Sequence, residues 1–298
     1  MPSPRPYDRD WTATSERAVI GVQGAGPRWE RGQPPADDPW LGPWTYAAWD
    51  FAPADRRQAV LLGYPVPHLV VFGDRIVVTG VSTRRSTHEL RGTGGVLAVE
   101  LRPGALTALF GDRDASALVD RALPLGHWTG TGETAELRGA LAKSVTPADR
   151  VAVLSGRLAR FRGHEREPVW ARDVLEAVLV PGRYRQVREA ADRHGLSIRS
   201  LQRLFHTHLG TGPKSAMRRC RILGAAAALV RAPDPWTRVA AQFGYFDQPH
   251  FINDFSRGLG ITPAAFAAEC RRARASGDTD VPRARPRGRP PAPRLEAG

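Results

Sequence analysis

Two stretches of the chain, residues 183–209 and 236–258, follow the same plan, and this repeat restricts the fold more than any other feature. Each begins with a short helical stripe of apolar residues that ends at a glycine. A polar residue suited to cap a second helix follows, Ser197 in the first stretch and Asp247 in the second. Helix, short turn and helix in this order predict two helix-turn-helix units.

The second helix of each predicted unit has one apolar face and one polar face. In the first unit, the side chains expected to face inward are Ile198, Leu201, Leu204 and Phe205. The second unit has few aliphatic residues to bury, so its core is expected to consist of aromatic rings. These are Phe243, Tyr245, Phe246, Phe251 and Phe255.

A strongly helix-forming segment, PKSAMRRCRILGAAAALV, separates the two units. A helix of about 18 residues spans roughly 27 Å. It would hold two recognition helices about one DNA turn apart, on the order of 34 Å. One chain could then contact two successive segments of the major groove.

The net charge of +13 is concentrated in the C-terminal part of the chain. Residues 1–180 carry 22 basic and 21 acidic side chains, residues 181–270 carry 13 and 6, and residues 271–298 carry 8 and 3. A near-neutral part joined to a basic part indicates a sensing or assembly domain attached to a binder of polyanions, of which nucleic acid fits best. A basic membrane-surface segment is the alternative, but it requires a broad apolar face that the tail lacks.

Composition argues against several other classes of protein. No apolar run is long enough to cross a membrane, and the N-terminus lacks the apolar stretch of a secretory signal, so neither is expected. Cys220 and Cys270 are the two cysteines of the chain, and we expect both to be buried free thiols.

The first part of the chain is predicted to be rich in strands. Residues 1–45, with many Pro, Gly and Trp, are expected to be irregular. Short β-branched runs at 69–72, 75–81, 86–90 and 96–101, separated by turn residues, predict an antiparallel sheet or small barrel. A cupin-like barrel with an effector pocket would fit this pattern.

Helical periodicity follows this sheet and completes an α+β fold. Short helices are expected within 104–111 and 114–123, and longer ones in ETAELRGALAKS, PADRVAVLSGRLARF and PVWARDVLEAVLV. We place a domain boundary near Pro181–Gly182. The expected domains are an N-terminal sensing or dimerisation domain (1–180), an all-helical domain (181–272) and a disordered basic tail (273–298).

Residues 180–272 resemble the DNA-binding domain of AraC/XylS-type bacterial transcription regulators. The resemblance rests on SIRSLQRLF, on Gly-Pro at 212–213, on Arg-Ile at 221–222, and on a set of matches at fixed offsets. These matches are Gly244, Asp247, His250, Phe251, Phe255, Gly260, Thr262 and Pro263. The N-terminal part resembles, less specifically, the sensor-like domains of some actinobacterial members, through VELRPGALTALFG, LPLGHW and the helical segment 144–161.

This resemblance implies a cytoplasmic, nucleoid-associated regulator of transcription that is not an enzyme. It implies double-stranded DNA as the partner, with a small-molecule effector and RNA polymerase as further partners, and it leaves monomer and homodimer open. It implies no cofactor and no metal. The DNA-contacting positions fall on Arg199, Ser200, Gln202, Arg203 and His206 of the first unit and on Gln248, Pro249, Ile252 and Asn253 of the second.

The residue types of the two units differ in their suitability for base contacts. Arg suits guanine O6 and N7, and Gln suits adenine N6 and N7. The family usually has Arg where this chain has Asn253 and often Lys where it has Ser256, and Asp254 adds a negative charge nearby. We therefore expect the first unit to supply most base specificity and the second mainly to position the protein. Phosphate contacts are expected from Arg218, Arg219, Arg238 and the Arg-rich tail.

Two other classes of function stay open at this point. One is a cupin-like enzyme tethered to DNA, although the sequence has no P-loop and no nucleophile-elbow motif. Its metal ligands would come from His68, His88, His127 and Glu100, whose spacing favours ordinary hydrogen-bonded side chains. The other is a basic architectural protein that binds DNA without sequence preference.

Overall fold

The computed structural model describes the chain in segments. These are residues 19–22, 28–32, 41–51, 57–61, 65–73, 75–84, 86–90, 94–110, 115–159, 169–232 and 236–275. They form two antiparallel sheets followed by helices, so the predicted α+β class is confirmed. No helix in these segments is both long enough and apolar enough to cross a membrane.

The larger sheet has six strands in the order β2–β3–β8–β5–β6–β9. Their bounds are β2 Arg28–Gly32, β3 Leu41–Phe51, β5 His68–Phe72, β6 Arg75–Thr79, β8 Gly94–Leu101 and β9 Ala122–Pro124. The smaller sheet has the order β1–β4–β7, with β1 Val19–Val22, β4 Arg57–Leu61 and β7 Ser86–Leu90. The strands predicted from β-branched runs are therefore confirmed as β5, β6, β7 and β8.

The expectation that residues 1–45 are irregular was wrong for 19–22, 28–32 and 41–45, and the rest of this stretch lies outside the described residues. This stretch contains β1, β2 and the start of β3. β3 pairs with β8 on one side and β2 on the other, with Ala47 opposite Leu97 and Glu30. Pairing partners far along the chain decide whether such a segment becomes a strand, and its Pro, Gly and Trp content does not reveal them.

Helices cover one part of this sheet and share its core. They are α1 Ala105–Phe110, α2 Gly126–Thr129, α3 Thr131–Ala142 and α4 Pro147–Leu158. Thr146 and Asp149 form a capping box at the start of α4, with Pro147 in its first turn as predicted. The short helix predicted within 114–123 is confirmed only as a 3₁₀ turn at Ala115–Leu118, and the end of this stretch forms β9 instead.

A second hydrophobic core unites the remaining helices. They are α5 Val169–Leu179, α6 Val187–Arg193, α7 Ile198–Leu209, α8 Pro213–Arg231, α9 Trp236–Gln242, α10 Gln248–Leu259 and α11 Pro263–Ala275. Leu175 and Val178 of α5 pack in this core, so α5 belongs with the C-terminal helices although it precedes Pro181. α11 extends into the stretch predicted as a tail, and residues 276–298 lie outside the described segments.

The sheet and the helical core meet along a buried seam. Arg102, just after β8, donates to Glu176 of α5 at 2.8 Å and to the carbonyl of Leu41 at 3.0 Å. Glu100, on β8, is 3% exposed, and its Oε2 has no hydrogen-bond partner among the described residues. Two carboxyl groups therefore lie near the Arg102 guanidinium at this seam.

A second contact of the seam lies at the end of α7. His208 is buried, and its Nδ1 lies 3.3 Å from Thr107 Oγ1 of α1. Gly210 has a φ of +66°, and a Cβ at this position would overlap the backbone of Ala115. The N-terminal part of the molecule therefore packs directly on the end of α7.

Glu100→Gln should reduce the pH dependence of stability. Burial, followed by the Glu176 carboxylate, raises the pKa of Glu100, while Arg102 opposes the shift. The folded chain therefore keeps this proton at pH values where the unfolded chain has lost it, so stability falls as pH rises through that interval. Gln is neutral throughout, so the decline in Tm towards alkaline pH should become shallower in thermal melts.

Glu136→Gln is the matched control for this experiment. The Glu136 side chain is 68% exposed and pairs with Arg157 at the surface. Its removal should leave the slope of Tm against pH as it is in the parent chain. An equal change of slope in both variants would contradict the role assigned to Glu100.

Candidate nucleic-acid interface

The first helix pair consists of α6 and α7, joined by a turn at Gly195. Gly195 has a φ of +65°, which glycine adopts without steric cost at the end of a helix. The Ser197 hydroxyl accepts a hydrogen bond from the backbone N–H of Ser200 at 3.0 Å. The N-cap predicted at Ser197 is therefore confirmed, and it fixes where α7 begins.

One face of α7 is buried and the other is open to solvent. Leu201, Leu204 and Phe205 are buried as predicted, whereas Ile198 is 37% exposed because it lies in the first turn of the helix. The side chains predicted to contact DNA lie on the solvent side, with Ser200 half-buried among them. The exposed ones are Arg199, Gln202, Arg203 and His206.

The second helix pair, α9 and α10, repeats this arrangement. Gly244 has a φ of +73°, and the Asp247 carboxylate accepts from the backbone N–H of His250 at 2.7 Å. Phe251 and Phe255 are fully buried, with ring centroids 5.5 Å apart. Of the predicted contact residues, Gln248, Pro249 and Asn253 are exposed and Ile252 is half-buried.

The prediction that Phe246 belongs to the core was wrong, because its side chain is 96% exposed. The backbone N–H of Tyr245 bonds to the Ala240 carbonyl in the way that Leu196 bonds to Ala191 in the first pair. Tyr245 thus fills the turn alone. Phe246 is an additional residue between the turn and the cap, and it faces solvent.

Asp254 lies inside the domain rather than on the outer face of α10, which corrects the expectation of a negative charge beside the DNA-contacting residues. It is 7% exposed and accepts from Arg218 Nε of α8 at 2.6 Å and from the Tyr245 hydroxyl at 3.3 Å. Burial and then the Asp254 carboxylate raise the pKa of Tyr245, so its hydroxyl remains a donor. These bonds fasten α10 to α8.

The three arginines expected to contact phosphates lie in different environments. Arg238 is exposed. Arg218 is paired with Asp254. Arg219 is 6% exposed and donates to the carbonyl of Gly258 at 2.8 Å, and burial lowers its pKa to about 10, so it stays charged at neutral pH. A phosphate contact by Arg219 does not fit this placement, because its guanidinium lies within the helical core.

Several exposed cations of the described helical region were not singled out from the sequence, and two of them lie near the ends of helices. Lys214 lies in the first turn of α8, and Arg257 lies in the last turn of α10. In the sequence, each is a basic residue at a solvent-facing helical position. Many surface arginines and lysines share this feature, so it does not distinguish a binding residue.

The residues proposed as metal ligands lie on different elements of the fold. His68 and Glu100 stand opposite each other in the pairing of β5 with β8, whereas His88 belongs to the smaller sheet and His127 to α2. Within the described segments, no group of three or more His, Cys, Asp or Glu side chains is arranged to hold a metal ion. Cys220 and Cys270 are buried free thiols, as predicted.

Comparison with known proteins gives matches to separate parts of the chain. A family model described as a helix-turn-helix domain matches residues 190–269, and a domain of unknown function, DUF6597, matches residues 39–124. The transcriptional activator RhaS of Escherichia fergusonii is 36% identical over 73 residues, and that of Pectobacterium carotovorum is 33% identical over 73 residues. In both cases the match covers 24% of this chain and 26% of the relative.

Among solved structures, ToxT from Vibrio cholerae O395 aligns with 83% of this chain and 97% of its own. The TM-score is 0.39 and the sequence identity is 11%.

The C-terminal region is therefore a helix-turn-helix domain, the class of fold that carries DNA-binding helices on a small buried core. Over this region its sequence is similar to that of the transcriptional activator RhaS. The family resemblance inferred from Gly244, Asp247, Phe251 and their neighbours is confirmed.

Truncation of two phenylalanines of the second helix pair should affect the free energy of unfolding very differently. Phe251→Ala removes a fully buried ring and should lower the free energy of unfolding by about 3–5 kcal/mol. Phe246→Ala removes an exposed ring and should change it by less than about 0.5 kcal/mol. Chemical denaturation followed by circular dichroism would measure both. A large loss of stability in Phe246→Ala would show that its ring is buried in solution.

Proposed function

We propose that this chain is a bacterial transcription regulator that binds double-stranded DNA through the exposed faces of α7 and α10. The main support for this proposal is the outer face of α7, where Arg199, Gln202 and Arg203 are exposed beside a buried apolar core. Side chains of these types form paired hydrogen bonds with base edges in the major groove. RhaS, which is similar over the same region, is named as a transcriptional activator.

The two helices are proposed to contact two successive segments of the major groove. Both pack against α8, a helix of 19 residues that spans about 28 Å. That length is of the order of one DNA turn. Arg218 and Asp254 support a fixed orientation of α10, because a charged pair joins it to α8.

We propose that α7 supplies most of the base specificity and that α10 mainly positions the protein. α7 exposes two arginines and a glutamine, whereas the predicted contact residues of α10 are uncharged. Since Asp254 is buried and paired with Arg218, repulsion of phosphates by this carboxylate is no longer part of the argument. The remaining difference lies at Asn253. Its side chain is shorter than that of the Arg usual in the family and has fewer N–H donors.

Control is proposed to come from residues 1–180, through an effector or through dimerisation, with a cupin-like barrel as the proposed form of the strand-rich part. The seam supports this route, because α1 and the turn at 115–118 contact the end of α7. A change in the N-terminal part would therefore act directly on the helix that carries Arg199 and Arg203. RNA polymerase is a further proposed partner.

Footprinting of the full chain on bacterial DNA tests the function. A sequence-specific regulator should protect a discrete site of about two helical turns. A basic architectural protein would protect DNA without a preferred site. Bound metal and turnover in the purified chain would instead support a tethered enzyme.

Gln202→Ala with Arg203→Ala should remove most of the preference for the selected site over random DNA, because each well-placed base contact is worth about 1–3 kcal/mol of discrimination. Asn253→Ala should lower affinity while the preference is kept. Arg138→Ala removes an exposed charge on α3 and serves as the control. The division of roles is wrong if Asn253→Ala abolishes the preference and the double variant retains it, as measured by competition binding.

Arg238→Ala should weaken binding to specific and random DNA about equally. Loss of one phosphate contact should reduce the slope of log affinity against log salt by about 1. Arg219→Ala should leave this slope unchanged, because its guanidinium is held by Gly258 in the core. A salt titration of both variants, with circular dichroism to check folding, would measure the difference.

A further inference from the structure

Phe246 is a large apolar side chain placed at the proposed DNA-binding end of α10. At 96% exposure it is the most exposed large hydrophobic residue in the described segments. It directly precedes the cap Asp247, and the exposed side chains of Gln248 and Pro249 follow. In helix-turn-helix proteins, the first residues of the second helix are those nearest the base edges.

The backbone on both sides of Phe246 is fixed. Tyr245 is held by its hydroxyl on Asp254 and by its ring, whose centroid lies 5.0 Å from that of Phe251. Asp247 is held by its bond to the backbone of His250. The Phe246 ring therefore projects from an anchored turn, and ordering it in a complex would restrict only its two side-chain torsions.

The additional residue in this turn is specific to the second helix pair. In the first pair, the cap Ser197 directly follows the turn-filling Leu196, whereas Phe246 separates Tyr245 from Asp247 in the second. The fold of the pair does not require this ring, because Tyr245 alone fills the turn.

An aromatic ring at this position suits one feature of the major groove. It cannot donate to phosphates or to base nitrogens. Apolar side chains in that groove pack against the C5 methyl group of thymine, which distinguishes A·T from the other pairs there. The neighbouring contact residues Gln248 and Pro249 carry no charge that would favour a phosphate instead.

We propose that Phe246 reads thymine, with its ring packed against the C5 methyl group of one base in the half-site beneath α10. This inference rests on the proposed function, and it adds a specificity-determining residue outside the set predicted from the sequence. It also gives α10 a base preference, although the predicted contact residues of this helix are uncharged. This preference is confined to a single position of the site.

Replacement of thymine by deoxyuracil tests the contact, because it removes only the methyl group. The probes are synthetic duplexes of the site that the full chain selects from a random library, each with one thymine replaced. For the parent chain, one replacement in the α10 half-site should weaken binding about fourfold, the factor expected from one buried methyl group. Phe246→Ala should bind the unmodified site about fourfold more weakly or worse and lose its sensitivity to that replacement.

Two further variants make the result specific. Phe246→Leu keeps an apolar side chain and should retain part of the sensitivity to deoxyuracil at the same position. Val145→Ala removes another exposed hydrophobic residue, 81% exposed and remote in sequence, and should behave as the parent chain. Thermal melts of each variant would show that it is folded.

The outcomes separate this inference from the function on which it rests. If the full chain selects no discrete site, both are overturned. If it selects a site but no thymine replacement matters, or if Phe246→Ala keeps the same sensitivity, only the role of Phe246 is overturned. A Phe246 that contacts RNA polymerase would give this second result, with a loss of transcription in vitro at unchanged DNA affinity.

Discussion

Burial of α8 against its neighbours is the constraint on which the helical part of the molecule depends. This single helix contacts α5, α7, α9, α10 and α11. Its small residues allow close approach, since a Cβ at Gly224 would overlap the Phe243 ring. α8 also supplies Arg218 to Asp254 and Arg219 to the carbonyl of Gly258, so these two arginines hold α10 in place. The exposed faces of α7 and α10 are consequences of this packing.

At the seam between that helical core and the sheet, the burial of carboxyl groups opposes folding. Glu100 and Glu176 are both buried near the Arg102 guanidinium, and burial raises the pKa of Glu100. Natural proteins accept such local violations at functional sites and compensate for them elsewhere in the fold. The end of α7 is anchored in the same seam through His208 and Gly210, so the sheet and the proposed DNA-binding face are mechanically connected.

Arginines of the helical region divide into those that hold the fold and those that face solvent. Arg218 and Arg219 are adjacent in sequence, yet both bond to α10. Arg199 and Arg203, four residues apart, both lie on the open side of α7. Charge counting predicts a polyanion-binding region in this part of the chain, but only the side-chain positions separate the two groups of arginines.

Sequence alone determined the helix ends, the helix caps and the core aromatic positions of the C-terminal region. Gly195 and Gly244 end helices, Ser197 and Asp247 begin them, and Phe251 and Phe255 fill the core, because each depends on residues within one or two turns. Tertiary structure decided what depends on distant partners. β2 becomes a strand because β3 pairs with it, and Asp254 turns inward because Arg218 lies 36 residues away in sequence and 2.6 Å away in space. Phe246 faces solvent because Tyr245 already occupies the turn, a competition for space that residue type does not reveal.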